Sequence, residues 1–293
     1  MNPDALALAL GVNRVLLYVG YVLLAGTLTF WTLVWPDGQL DRRLVQMTWL
    51  GTALMTVATV TGLVIGIMIG GRAFGDVVTP LSGAAAIVRL AGLAFVAFFL
   101  VDVVRSAIAG WRRVVAVLVI TLIAATMVVQ ANAVTGPWQT VKIVATFGHV
   151  LATAAWLGGL LAMAAVLIQQ ENLRELDWLI PRFSLVAKVS VVILVVTGSI
   201  HALAIAGGIG ALVSSLFGLV LFIKVVIFGL MLLLGNHGRR YAARVAFRRV
   251  NPFADSTNRM RIQSLAVVMG AEVAIAFVAL ATTSLLVLVA PAS

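Results

Sequence analysis

The chain has three histidines and no cysteine. A metal site can therefore draw only on imidazole, thioether, carboxylate or backbone oxygen, and neither a disulfide framework nor a thiolate site is possible. Two histidines, His149 and His201, fall inside apolar stretches. His149 lies about ten residues into its span from the outer side, roughly 15 Å deep at about 1.5 Å per residue, and His201 about five residues below the outer end of the next span. On consecutive antiparallel helices the two could converge on one metal ion or haem iron. Imidazole suits copper or haem iron, while thioether sulfur from Met68 or Met127, near the outer ends of spans 2 and 4, would select reduced copper. The other reading is that each histidine only hydrogen-bonds a neighbouring helix and that the nine methionines are packing residues, since no close-spaced methionine motif occurs.

The charged residues inside spans form a second short set. A charge at mid-membrane depth costs at least ~2.5 kcal/mol even on the forgiving insertion scale, so Arg89, Lys224 and Glu272 need partners. Counting along the spans brings Lys224 and Glu272 to nearly the same level, about 15 Å in from opposite faces. They are expected to form a buried ion pair, or to handle a proton or cation. Arg14 holds an outer-half position like that of Arg89, and Asp102 can pair locally with Arg105. Trp156 lies deep in span 5 directly before Gly158 and Gly159, whose small size permits close helix approach, so this stretch is expected at the bundle centre. Trp31, Trp35, Trp138 and Trp178 sit at span ends, where interfacial anchors are found. No phosphate-binding loop, Ser/His/Asp arrangement, zinc-protease helix or dinucleotide glycine pattern is present.

The elements that position these residues are membrane helices. Of 293 residues, 62% are hydrophobic and 10% charged, against roughly 25% charged in a soluble domain. Apolar windows long enough for a hydrocarbon core of roughly 30 Å fall near 12–35, 45–70, 83–106, 112–131, 139–169, 183–206, 216–237 and 263–289. The expected fold is thus all-α, a polytopic bundle of eight transmembrane helices. Basic residues gather after spans 1, 3, 5 and 7, most densely from Arg239 to Arg261, which places both termini outside the cytoplasm. The net charge of +10 is explained by these connections and does not point to nucleic acid. The segment from Asn2 to Asp4 lacks a basic signal start, so the first span is expected to be retained. The basic connection after span 7 suits an amphipathic extension on anionic lipid.

Text also repeats across the chain. Val60-Thr61-Gly62 recurs as Val196-Thr197-Gly198, and Gly83 with Arg89 recurs as Gly218 with Lys224. Four spans per half is an even number, so residues 1–135 and 136–293 are expected to be parallel four-helix repeats related about the membrane normal.

Phe147-Gly148-His149-Val150-Leu151-Ala152, followed by Trp156-Leu157-Gly158-Gly159, resembles the signature helix of the copper-resistance D family (CopD). The likeness continues through Arg182-Phe183-Ser184, Val196-Thr197-Gly198, Gly218 with Lys224, and Glu272. It is strong over roughly residues 140–290 and looser before. The resemblance implies copper passage across, or delivery at, the bacterial plasma membrane, without catalysis, alongside a periplasmic copper-binding protein or an oxidase assembly factor. It raises His149, Trp156, Lys224 and Glu272 and adds nothing for His201. After span 7 the family usually reads Asn-Arg, where this chain has Asn236-His237-Gly238-Arg239. The competing readings are a haem-binding electron-transfer bundle and a non-catalytic assembly subunit.

Overall fold

Apolar runs of this length fold as helices in lipid because every backbone N–H and C=O must be satisfied within the segment. The computed structural model of the chain describes residues 3–35, 41–70, 74–103, 110–131, 138–167, 176–206, 210 and 214–248. Among them no strand occurs, and seven helices are long and apolar enough to cross a membrane. The eighth expected span, near 263–289, lies outside the described residues, and Glu272 with it.

Helix α1 (Pro3–Thr29) runs on through a π-helical turn, Phe30–Val34, to complete the first span. Then follow α2 (Arg42–Gly70), a short α3 (Phe74–Val78), α4 (Leu81–Val103) and α5 (Trp111–Ala131). The fifth span is α6 (Gln139–Thr153), a second π turn at Ala154–Gly158, and α7 (Gly159–Leu167). Helices α8 (Leu176–Ala206) and α9 (Leu216–Arg248) form the sixth and seventh. Several of them outrun their apolar windows. Helix α8 starts seven residues before position 183 and carries Pro181 in its second turn, where the missing N–H costs a single intrahelical bond. Helix α9 continues through Arg239, Arg240 and Arg244 to Arg248. Hydropathy marks where lipid is, and a helix need not stop at that boundary.

Helix α1 is the central post. Its Tyr21, Leu24 and Leu28 are buried in one cluster with Met55 of α2, Leu93 of α4, Ile123 of α5, Met163 of α7 and Leu179 of α8. Two glycine crossings bring backbones together. A Cβ on Gly51 would stand 2.6 Å from the Leu24 nitrogen of α1, and one on Gly26 would overlap Gly158 in the second π turn. Such contacts are how helices associate where lipid removes the hydrophobic drive between them. Phe98, Leu118, Phe222 and Leu233 are exposed; in water each would forgo roughly 1.5–3 kcal/mol of burial, so this surface belongs in lipid.

The tryptophans correct one expectation. Trp138 is 75% exposed and Trp178 half-buried, but Trp31 and Trp35 are both buried in the main core rather than at a lipid interface. The reason is that the first π turn is packed by α5, α7 and α8, which cover the end of the first span.

Candidate metal centre

Helices α6 and α8 pack directly against each other. On α6, Thr146 and His149 are three residues apart; on α8, Thr197 and His201 are four apart. Both spacings stack side chains on one helix face, and the two strips meet crosswise. His149 Nδ1 is 2.9 Å from Thr197 Oγ1, and His201 Nε2 is 3.4 Å from Thr146 Oγ1. The imidazole rings stand edge to face, with centroids 6.0 Å apart and planes at 89°. Gly148 and Gly198 lie at this crossing without being forced by it. A Cβ on Gly148 would only touch Thr197 at 3.5 Å and Ile193 at 3.6 Å, and one on Gly198 would reach His149 Cε1 at 3.9 Å.

Lys224 of α9, half-buried, acts electrostatically on both imidazoles, and Lys142 of α6 acts on His201. Two turns below His149, Trp156 in the second π turn meets Phe228, one turn below Lys224, with ring centroids 5.3 Å apart. Leu157 of the same turn is buried with Val22 of α1 and Met231 of α9. Helix α9 thus packs on α8 and meets the fifth span through this aromatic pair at the π turn. The pairing of Lys224 with Glu272 falls outside the described residues. The two adjacent glycines serve different neighbours: Gly158 faces α1 at Val22 and Gly26, whereas a Cβ on Gly159 would stand 2.7 Å from the Phe183 ring of α8.

The remaining sequence candidates lie elsewhere. Met127 is buried in the apolar core, Met68 is 72% exposed, and neither is among the described residues that meet the histidines. Arg89 of α4 is 1% exposed and turned to α5. Its Nε donates to Thr126 Oγ1 at 3.0 Å, and its Nη2 donates to Thr126 O at 3.1 Å and Gln130 Oε1 at 2.9 Å. The buried guanidinium is thus met by neutral acceptors from the next helix. Arg14 and Arg89 both act electrostatically on Tyr18. Thr146 was not singled out by sequence, and Thr197 only as repeated text; the signal that finds them is a threonine three or four residues before each intramembrane histidine.

Two imidazoles on one first-row metal ion, at metal–nitrogen distances of about 2.0 Å, have ring centroids no more than about 6.3 Å apart; the observed 6.0 Å lies within that limit, and in the edge-to-face arrangement one ring would turn for both to present a nitrogen to the same ion. Among the described residues no group of three or more histidine or carboxylate side chains could hold a metal. Such a pair leaves coordination positions open, unlike a closed structural site. A single haem between the two imidazoles does not fit. Helices α6 and α8 touch at this level through Gly148, Thr197 and the His149–Thr197 bond, leaving no slot for a porphyrin.

Residues 178–286 match the family model of copper resistance protein D, CopD. The match covers 109 of the 293 residues. It includes Thr197, His201, Lys224 and Glu272, while His149, Trp156, Gly158 and Gly159 precede it. Neither a curated protein nor a solved structure matches the chain. Seven apolar helices among the described residues make this a multi-pass membrane protein, and its residues 178–286 are similar to copper resistance protein D.

Proposed function

We propose that the chain passes copper across, or delivers it at, the bacterial plasma membrane through the helical bundle. The carrying observation is the imidazole pair. His149 and His201 come from different helices, stand within reach of one ion, and sit next to a half-buried lysine. Two neutral ligands with open positions favour an ion that enters and leaves over one that is kept. Lys224, with Glu272 from the eighth span, is the charge pair that gates or couples that movement. The termini and the imidazole end of the bundle face outside the cytoplasm, where a copper-binding protein or oxidase assembly factor would exchange the ion.

The same reading takes the chain as two four-helix repeats, residues 1–135 and 136–293. It is supported by a shared detail at the two Val-Thr-Gly texts. A Cβ on Gly62 would meet Asn13 Nδ2 at 3.1 Å, and one on Gly198 would meet His149 Cε1 at 3.9 Å. A polar side chain of the preceding span thus faces the same glycine in each half.

The test is metal analysis with an absorption spectrum of the purified protein, wild type and His149→Ala. Stoichiometric copper without a haem band, reduced in the variant at unchanged expression, is the expected result. A haem band, or copper content untouched by the substitution, would refute the ligand role.

A further inference from the structure

We infer that Thr197 is a positioning residue that fixes the tautomer of His149, leaving Nε2 as the lone-pair nitrogen that meets the ion; the metal part of this inference rests on the function proposed above. A threonine hydroxyl has one hydrogen to give. That of Thr197 is directed to the backbone carbonyl of Ile193, one turn back, at 2.6 Å. The oxygen can then only accept at its 2.9 Å contact with His149. Nδ1 of His149 therefore carries the hydrogen, and Nε2 carries the lone pair. The chain of donation runs from the imidazole through the hydroxyl to a helix carbonyl, so the tautomer is pinned to the backbone of α8.

The same logic holds, at a longer contact, for the other histidine. Thr146 Oγ1 donates to Lys142 O at 2.7 Å and stands 3.4 Å from His201 Nε2. His201 Nε2 is then the donor and Nδ1 the lone-pair atom. The two imidazoles offer opposite nitrogens, as a crosswise pairing on antiparallel strips requires. The Val-Thr-Gly text at 196–198 acquires a physical meaning: the threonine orients the ring, and the glycine lies beside its Cε1 edge. Fixing the second ring nitrogen of a metal-binding histidine in this way is worth about 10–100-fold in metal affinity.

The test has two arms on the full-length protein. Nitrogen-15 NMR of the histidine-labelled, metal-free wild type reads the tautomer directly, and the expected result is a protonated Nδ1 on His149; a protonated Nε2 with bare Nδ1 overturns the inference. Competition titration with monovalent copper then compares wild type, Thr197→Val and Thr197→Ser. The valine variant is expected to bind about 10–100-fold more weakly and the serine variant to bind like wild type. Wild-type affinity in the valine variant overturns the positioning role. A wild type that binds no copper overturns the proposed function, while the NMR arm still decides the tautomer.

Discussion

Gly158→Ala tests whether the imidazole-bearing span is held by its crossing with α1. In the structure an added Cβ would stand 2.5 Å from Gly26 Cα and overlap the carbonyl oxygen of Val22. Both are backbone atoms, so no rotamer change relieves the clash. Carbon atoms rest at about 3.5–4.0 Å, so the two helices must separate by roughly 1–1.5 Å. Overpacking of this kind costs about 1–3 kcal/mol, which for a chain of this size lowers the unfolding midpoint by roughly 2–10 °C. Gly148→Ala on the same span is the control. Its Cβ would meet only side-chain methyls at ordinary contact distance, and alanine in a helix interior gains up to about 1 kcal/mol over glycine. It is expected to be neutral or mildly stabilising. The assay is thermal unfolding of the purified variants in detergent, followed by gel filtration. A Gly158→Ala protein as stable as wild type, or equal losses from both substitutions, would show that the crossing does not hold the bundle.

Two further outcomes follow from the buried cations. Lys224→Gln removes a positive charge that acts on both imidazoles; a unit charge acting over about 10 Å at an effective dielectric of 20 is worth about 1.7 kcal/mol, so copper binding is expected to tighten by roughly tenfold in a competition titration. Unchanged or weaker binding would show that the Lys224 charge does not repel the bound ion, as expected where Glu272 neutralises it. Arg89→Lys cannot reproduce the fork that reaches Thr126 and Gln130 together, so it is expected to lose about 1.5–3 kcal/mol, more than Gln130→Ala at the exposed end of the network. Equal unfolding midpoints for Arg89→Lys and wild type would refute this.

The seven described spans were legible because long apolar runs leave the backbone no alternative to a helix in lipid. Their polar ends were less so: Pro181 and the arginines beyond residue 237 lower hydropathy without ending the helix. Gly158 and Gly159 marked a close approach, but spacing alone does not say that one serves α1 and the other α8. Trp31 and Trp35 misled because position along a span does not report which helices cover its end. The site was half readable. Each histidine stood out by chemistry, whereas their meeting depends on the facing of two helices. A threonine at i–3 and at i–4 encodes that facing only when both strips are read together.

The second π turn lies between His149 and Gly159, within the fifth span. A π turn holds one residue more than the α turn it replaces, so the extra residue is absorbed in the wider turn and the outward stretch carrying the imidazole keeps its facing relative to the inward stretch that packs on α8. Each α-helical residue turns the chain by roughly 100°. Keeping the same number of residues but winding them all as regular α would swing His149 by about that angle away from Thr197, whereas loss of a single residue from 154–158 would let the helix close up as α with His149 near its present facing. Among descendants of this chain, the segment should tolerate loss of its one extra residue far more readily than gain of another.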